Sequence, residues 1–146
     1  MRLRIVAVLV LVAAGLAVGT GSASAAALPT CNHFTTIDAN IPKFERGTIR
    51  VPSTGPDSRN FSCALRPRDH NWGVVALQLA LNACANAGLT VDGVYGQPTQ
   101  NAVTWMQALA GITVDGVYGP QTRAKAIKMP SVRADGSLIV CVQVVS

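Results

Sequence analysis

The hydrophobic pattern is clearest from residue 71 onward, where apolar positions recur at the three- and four-residue steps of an amphipathic helix. Asn71, which precedes this pattern, is a suitable N-cap because its side chain can accept from the first free amides. The pattern predicts a helix from residue 71 to about residue 85. Its apolar face comprises Val74, Leu77, Leu81 and Cys84.

Two further helices are predicted downstream. The second spans residues 100–110 with Thr99 as its N-cap, and we expect Trp105 to be partly buried on it. The third spans residues 123–129 with Thr122 as its N-cap. It stops before Pro130, because the residue that precedes a proline disfavours the helical conformation.

Strand patterns occupy the flanks of this helical region. Residues 47–51 alternate like a short strand and end at Pro52, which suits the edge of a sheet. Residues 131–146 predict a hairpin, with its turn at Asp135 and Gly136 and an apolar strand from residue 138 to 145. Such an apolar strand needs a partner, and the 47–51 strand is the expected one.

One seven-residue phrase occurs twice, at residues 90–96 and 113–119, and reads Thr-Val-Asp-Gly-Val-Tyr-Gly. A glycine, Gly88 or Gly111, precedes each copy at a position suited to ending a helix. The Asp-Gly pair in each copy predicts a turn. We therefore predict a mainly α fold: a compact three-helix core built from two helix–loop repeats, with a small disulfide-tied β element from the N- and C-terminal flanks.

The first 25 residues have the composition of a secretory signal peptide. Arg2 and Arg4 precede an apolar run over residues 5–18, and the small residues 23–25 suit cleavage after Ala25, with Ala27 as the alternative. A retained membrane anchor is the competing interpretation, but the apolar run is short for a membrane span. We expect a secreted protein without stable membrane insertion after cleavage.

Charge narrows the classes of partner. Loss of Arg2 and Arg4 with the leader lowers the formal net charge from +5 to +3. No basic run is interleaved with aromatic residues, so the sequence does not predict nucleic-acid binding. A mildly cationic chain suits loose attraction to an anionic cell surface.

Four cysteines in a secreted chain predict two disulfides, for which three pairings exist. We expect Cys63–Cys84, which closes a short loop onto the first helix, and Cys31–Cys141, which ties the two ends of the chain together. A metal site is disfavoured because the chain has no C-x-x-C spacing and only two histidines. We predict no metal and no cofactor.

The residues of the helical region carry a family resemblance. The series from Val74 to Leu81, followed by the first Asp-Gly-Val-Tyr-Gly phrase, resembles the first half of the bacterial three-helix peptidoglycan-binding domain. The series from Ala102 to Gln107, followed by the second phrase, resembles its second half. The family usually has phenylalanine just before the second-helix Gln107, whereas here the aromatic residue is Trp105. The resemblance covers under half of the mature chain.

The resemblance implies a module that binds the wall without catalysing a reaction and that commonly accompanies wall hydrolases. The cysteine-bearing flanks resemble, more weakly, the extension of small secreted actinobacterial proteins with this module. The expected organisation has four segments. These are a signal peptide (1–25), a disulfide-tied extension (26–70), the peptidoglycan-binding-like domain (71–129) and a C-terminal strand segment (130–146).

The residues do not predict an enzyme. Acid–base catalysis needs a histidine or paired carboxylates in a pocket, and His33 and His70 are the only histidines. Asp69 lies next to His70, but adjacent residues rarely face the same way. Asp92 and Asp115 occupy equivalent turn positions, where local turn capping explains them.

A module that binds sugars needs aromatic surfaces beside groups that bond to hydroxyls. Gln78 and Gln107 are expected to brace the turns instead. Tyr95 and Tyr118 are candidates for the rims of a groove, although each is as readily explained by packing over a helix junction. The ligand-binding candidates are Trp72, Asp92, Tyr95, Gln97, Asp115, Tyr118 and Arg123.

Three functions remain open. The leading one is a secreted, extracellular or wall-associated, non-catalytic module that binds the glycan strand or the stem peptide of peptidoglycan. The second is a secreted inhibitor or partner protein that uses the same scaffold to bind a wall hydrolase or another protein. The third is a wall hydrolase with a novel site.

Overall fold

The structure of this protein is a computed structural model that describes residues 27–39 and 46–145. The predicted signal peptide lies outside these residues. In chain order the elements are β1 (His33–Ala39), β2 (Gly47–Ser53), α1 (Trp72–Ala85), α2 (Gln97–Leu109), α3 (Pro120–Lys125), β3 (Met129–Val132) and β4 (Leu138–Val142). Across the described ranges no helix is long and apolar enough to cross a membrane.

The four strands form one antiparallel sheet in the order β1, β2, β3, β4. β1 and β2 pair along their whole length, from His33 opposite Ser53 to Ala39 opposite Gly47. β3 and β4 form a hairpin whose turn contains Gly136 with a φ of 84°, a value that glycine adopts without strain. The hairpin predicted around this turn is therefore present.

The predicted mainly α fold is wrong, because the sheet is a major layer of the molecule and not a small appendage. The region before residue 71 contributes β1 and β2, and β1 was not predicted. Its exposure pattern shows why: Thr35 is its one buried residue, so the alternation that identifies a strand is weak. Pairing with β2, the next strand along the chain, stabilises β1.

The predicted strand partners are also wrong. β2 lies between β1 and β3, so it is not an edge strand, and β4 pairs with β3 instead of β2. The third helix, predicted to reach residue 129, ends at Lys125, and Met129 begins β3. Met129 and Ser131 are buried on one face of β3, which is the face toward the core.

The predicted first helix is present, and its Asn71 cap is confirmed, since Asn71 Oδ1 accepts from Val74 N at 3.1 Å. The caps predicted for the other helices are wrong. Gly96 and Gly119 are the N-caps of α2 and α3, and a proline follows within the first two helical positions of each. Thr99 and Thr122 lie inside the helices.

Helix α1 packs against the sheet, mainly against β2. The close approach depends on Gly73, because a Cβ there would come within 1.9 Å of the Cys31 carbonyl oxygen. Side chains from the helices, the sheet and the intervening segment share one core. Its fully buried members include Val51, Leu65, Leu77, Leu81, Val103, Ile127 and Met129.

Two disulfides are present, but both predicted pairings are wrong. Cys31 pairs with Cys63, and Cys84 pairs with Cys141. A parallel bridge between residues 30 and 64 brings the first pair to a Cα separation of 5.1 Å. The β3–β4 hairpin folds back beside the C-terminal turn of α1, which brings the second pair to 5.8 Å. Loop length alone could not select between pairings, because the pairing depends on how the sheet packs against α1.

Candidate functional site

A buried glutamine on α1 holds the first Asp-Gly turn. The Gln78 amide nitrogen donates to Asp92 Oδ1 at 2.8 Å and to the Val94 carbonyl oxygen at 3.1 Å. The same nitrogen donates to Thr99 Oγ1 at 3.3 Å, while Gln78 Oε1 accepts from Gly93 N at 2.9 Å. All four polar contacts of this side chain therefore serve to fix the turn against the two helices.

A glutamine on α2 repeats this arrangement at the second turn. The Gln107 amide nitrogen donates to Asp115 Oδ1 at 2.8 Å and to the Val117 carbonyl oxygen at 3.0 Å. It also donates to Thr122 Oγ1 at 3.0 Å, and Gln107 Oε1 accepts from Gly116 N at 2.9 Å. Gln78 and Gln107 thus brace the two turns, as the sequence predicted.

The two aspartates complete the turns they belong to. Each Oδ1 also accepts from the backbone N–H two residues further on, at 2.9 Å in both turns. The hydrogen bond from Gln78, followed by that from Val94 N, lowers the pKa of Asp92 below the ordinary value of 3.8. Asp92 is therefore ionised at neutral pH and keeps its Oδ2 for solvent or a ligand.

Tyr95 and Tyr118 have almost no surface to offer a ligand, since each is 1 % exposed. The Tyr95 hydroxyl donates to the Gly116 carbonyl oxygen at 2.8 Å, so the first repeat braces the turn of the second. The Tyr118 hydroxyl is buried without a hydrogen-bond partner among the described residues. Burial raises the pKa of both phenols well above the usual range. Both tyrosines pack at helix junctions, which was the alternative explanation.

Arg123 is also buried, so it is not placed to meet a ligand from solvent. Its Nη1 donates to the Phe61 carbonyl oxygen, and its guanidinium lies 5.7 Å from the centroid of the Phe61 ring. Arg123 therefore fastens α3 to the segment that precedes α1. Gln97 is exposed, and its amide nitrogen donates to Asn101 Oδ1 at 2.8 Å.

One open groove brings two of the predicted candidates together. Trp72, 60 % exposed at the start of α1, and Asp92 both line a groove of about 480 Å³. His70, Asn71, Val75 and Gly93 complete its lining. Gly93 has a φ of 74°, and a Cβ there would lie 3.1 Å from Val75, so glycine keeps the floor of the groove open. We name this surface the Trp72 groove.

The second repeat has different side chains at the positions that line this groove. Gln107 follows Gln78 by 29 residues, and the same offset places Asn101 where the first repeat has Trp72. Asp115 is exposed like Asp92, but the side chains nearest its Gly116 are Gln100 and Thr104. The structure does not bring Asp115 and an aromatic surface together, so only the first repeat combines a carboxylate with an exposed ring.

Asp69 and His70 make separate local contacts. Asp69 Oδ2 accepts from Arg66 N at 2.7 Å and so closes a local turn. His70 is exposed, and its backbone forms an antiparallel bridge with Val94. This bridge, which depends on the fold, places His70 at the Trp72 groove.

Trp105 is a second residue whose exposure differs from the prediction. We expected it to be partly buried, but it is 65 % exposed on α2, and Leu109 one turn later is 64 % exposed. The 29-residue offset between the glutamines was the available signal, because it aligns Trp105 with Ala76 and shows a large side chain on α2 where α1 has a small one.

The helical region runs from the first residue of α1 to the last residue of α3. Residues 72–125 match the family described as "Putative peptidoglycan binding domain". The match begins and ends with these helices, so the matched segment includes both glutamine-braced turns and excludes the four described strands. No curated protein matches the chain, and no solved structure does either.

Only part of the lining of the Trp72 groove lies within the matched residues 72–125. Trp72, Val75, Asp92 and Gly93 lie within it, whereas His70 and Asn71 precede it. The groove is therefore formed where the matched segment meets the flank that leads into it.

Proposed function

We propose that this protein is a secreted, non-catalytic module that binds bacterial peptidoglycan and that the Trp72 groove contacts the polymer. The observation that carries the proposal is the match of residues 72–125 to a peptidoglycan-binding family. The four-segment organisation expected from the sequence is retained in this proposal, with the two flanks forming a sheet that supports the binding segment.

The chemistry of the groove suits a sugar or a short peptide. The exposed indole of Trp72 offers a flat apolar face against which the C–H face of a sugar ring can pack. Asp92 is ionised, and its Oδ2 can accept from hydroxyl or amide donors of the ligand. Because Gln78 holds this carboxylate in place, the acceptor is ordered before the ligand arrives.

Several features support binding without catalysis. A general acid needs a carboxyl group whose pKa is raised, whereas that of Asp92 is lowered. Glycoside hydrolysis usually needs two carboxyl groups that flank one bond, but Asp92 and Asp115 brace separate turns. Their hydrogen bonds to Gln78 and Gln107 are structural.

Secretion is supported by the cysteines. Disulfides persist in oxidising compartments, and all four cysteines of this chain are paired. The signal-peptide pattern over residues 1–25 points the same way. We therefore place the mature protein outside the cell or in the wall.

The test is co-sedimentation of the oxidised mature protein with purified insoluble peptidoglycan. We expect saturable pelleting of the wild type, and a loss of affinity of about tenfold for Trp72→Ala, which corresponds to roughly 1.4 kcal/mol. Trp72→Phe keeps an aromatic face and should retain most of the binding. The exposed Gln121→Ala on α3 is the control.

Two results would contradict the proposal. If the folded wild type stays in the supernatant, the protein does not bind the wall. If it pellets but Trp72→Ala binds as well as the Gln121→Ala control, binding occurs away from the Trp72 groove. Release of soluble fragments from the wall during the assay would contradict the non-catalytic assignment.

A further inference from the structure

Helix α2 carries a stripe of exposed side chains that the core does not explain. Its members follow one another at four-residue steps, the spacing that places residues on one face of a helix. Two amides are followed by two large apolar side chains: Gln97, Asn101, Trp105 and Leu109. We name this set the α2 stripe.

In the first repeat, the equivalent helix face is buried and packs against the rest of the molecule. On α1, the positions that correspond to Trp105 and Leu109 are Ala76 and Ala80, which are 2 % and 0 % exposed. The sheet packs against α1, and small residues there allow the close approach. The equivalent face of α2 carries a tryptophan and a leucine, and no described element covers either side chain.

A groove adjoins the stripe where α2 passes the C-terminal end of α1. It has a volume of about 370 Å³ and includes Trp105 and Met106 from α2. Asn101 and Asn86 also line it, and Asn86 is exposed in the left-handed conformation that ends α1. The remaining lining is apolar side chains and backbone, so the groove carries no charged group.

We propose that Trp105, Asn101 and Asn86 form a second binding site, whose ligand is the neutral sugar backbone of the glycan strand. This proposal deepens the proposed function and rests on it. The indole of Trp105 would pack against the C–H face of a sugar ring. The two asparagine amides supply donors and acceptors for hydroxyl and acetamido groups.

Charge selects the glycan over the stem peptide at this site. A stem peptide carries carboxylates, and a carboxylate against an apolar lining is stabilised best by a cation. The groove beside Trp105 offers no arginine, lysine or histidine. A neutral N-acetylated sugar places no charge against its apolar lining, so the lining matches that ligand.

The chain is well suited to a direct test, since Trp72 and Trp105 are its only tryptophans. In Trp72→Phe, tryptophan fluorescence reports on Trp105 alone. The probe is chitotetraose, a neutral tetramer of N-acetylglucosamine. We expect a saturable change in Trp105 emission during titration. By calorimetry, Trp105→Ala should weaken chitotetraose binding about tenfold, Asn101→Ala should weaken it measurably, and Gln121→Ala should leave it unchanged.

The outcomes separate this inference from the proposed function. If Trp105 emission does not respond to chitotetraose while the wild type still pellets with peptidoglycan, the second site is wrong and the wall-binding function stands. If emission responds saturably but insoluble wall is not bound, the sugar site stands and the wall-binding function fails. If Trp105 emission instead changes with protein concentration, and sedimentation shows dimers, the α2 stripe joins two copies of the chain and the inference is overturned.

Discussion

At the scale of single residues, the two glutamines explain why one phrase occurs twice. The repeated phrase supplies the aspartate carboxylate, the glycine N–H and a backbone carbonyl oxygen, and one glutamine side chain bonds to all three. Gln78 and Gln107 are each 1 % exposed, so these bonds form without competition from water. Because the nitrogen and the oxygen of each buried amide are hydrogen-bonded, each glutamine holds its turn in one geometry.

This arrangement predicts that Gln78→Ala is strongly destabilising. The substitution leaves the buried Gly93 N–H without its acceptor and removes a donor from three oxygens. We expect the free energy of unfolding to fall by about 2–4 kcal/mol. Urea denaturation of the oxidised protein measures it.

The matched control is Gln97→Ala, which removes an exposed glutamine on α2 whose amide nitrogen donates to Asn101 Oδ1. It should change the free energy of unfolding by no more than about 0.5 kcal/mol. Equal changes in the free energy of unfolding for the two substitutions would show that the buried hydrogen bonds of Gln78 add no extra stability.

Asp92 gives a prediction about pH. Its folded pKa is lowered below 3.8 by the bonds from Gln78 and Val94 N, so ionised Asp92 favours the folded state. That contribution is complete above the unfolded pKa and is lost as the pH falls through the folded pKa. The stability difference between wild type and Asp92→Asn should therefore be constant from about pH 5 to 8 and shrink below about pH 4. Urea midpoints across this range test it, and a difference that grows toward acid would contradict it.

At the scale of elements, the sequence predicted those features that depend on residues close together in the chain. The periodicity and the Asn71 cap predicted α1, and the Asp135–Gly136 pair predicted the hairpin turn. β1 was not predicted, although its partner β2 follows it directly, because the alternation along β1 is weak. The strand order and the disulfide pairing could not be predicted, because each depends on contacts between segments distant in sequence. The exposure of Trp105 belongs to the same class, since it depends on the sheet covering α1 and leaving α2 open.

The two disulfides differ in solvent exposure, and this difference predicts the order in which they are reduced. Cys31 and Cys63 are fully buried, whereas Cys84 and Cys141 are partly exposed. Reduction requires a nucleophile to reach a sulfur atom. Under limiting reductant we expect Cys84 and Cys141 to become alkylated first, as measured by peptide mass spectrometry after trapping. Prior or simultaneous labelling of Cys31 and Cys63 would contradict this.

At the scale of the whole molecule, the flanks pack into one structure with the segment that matches the family. Leu65, which is fully buried, exchanges both backbone hydrogen bonds with Tyr118, at 2.8 and 3.0 Å. Arg68 N donates to the Tyr95 carbonyl oxygen, and Tyr95 N donates to that of Asp69. Both repeats are therefore hydrogen-bonded to the segment that precedes α1.

These contacts predict that residues 72–125 do not fold alone, although they are the part that matches the family. Cutting at residue 72 removes the Asn71 cap, the strand-like partner of Tyr118 and the sheet that covers Ala76 and Ala80. Domains below about 60 residues are marginally stable even with a complete core. We expect the fragment to lack a cooperative thermal transition by circular dichroism.

Residues 27–145, with both disulfides formed, should unfold cooperatively under the same conditions and serve as the reference. A cooperative transition in the 72–125 fragment would show that the sheet is an accessory and that the binding segment carries its own stability. If the fragment is unfolded, as we expect, the Trp72 groove exists only in the assembled molecule. Its rim includes His70 and Asn71, so the flank then determines both the stability of the site and part of its surface.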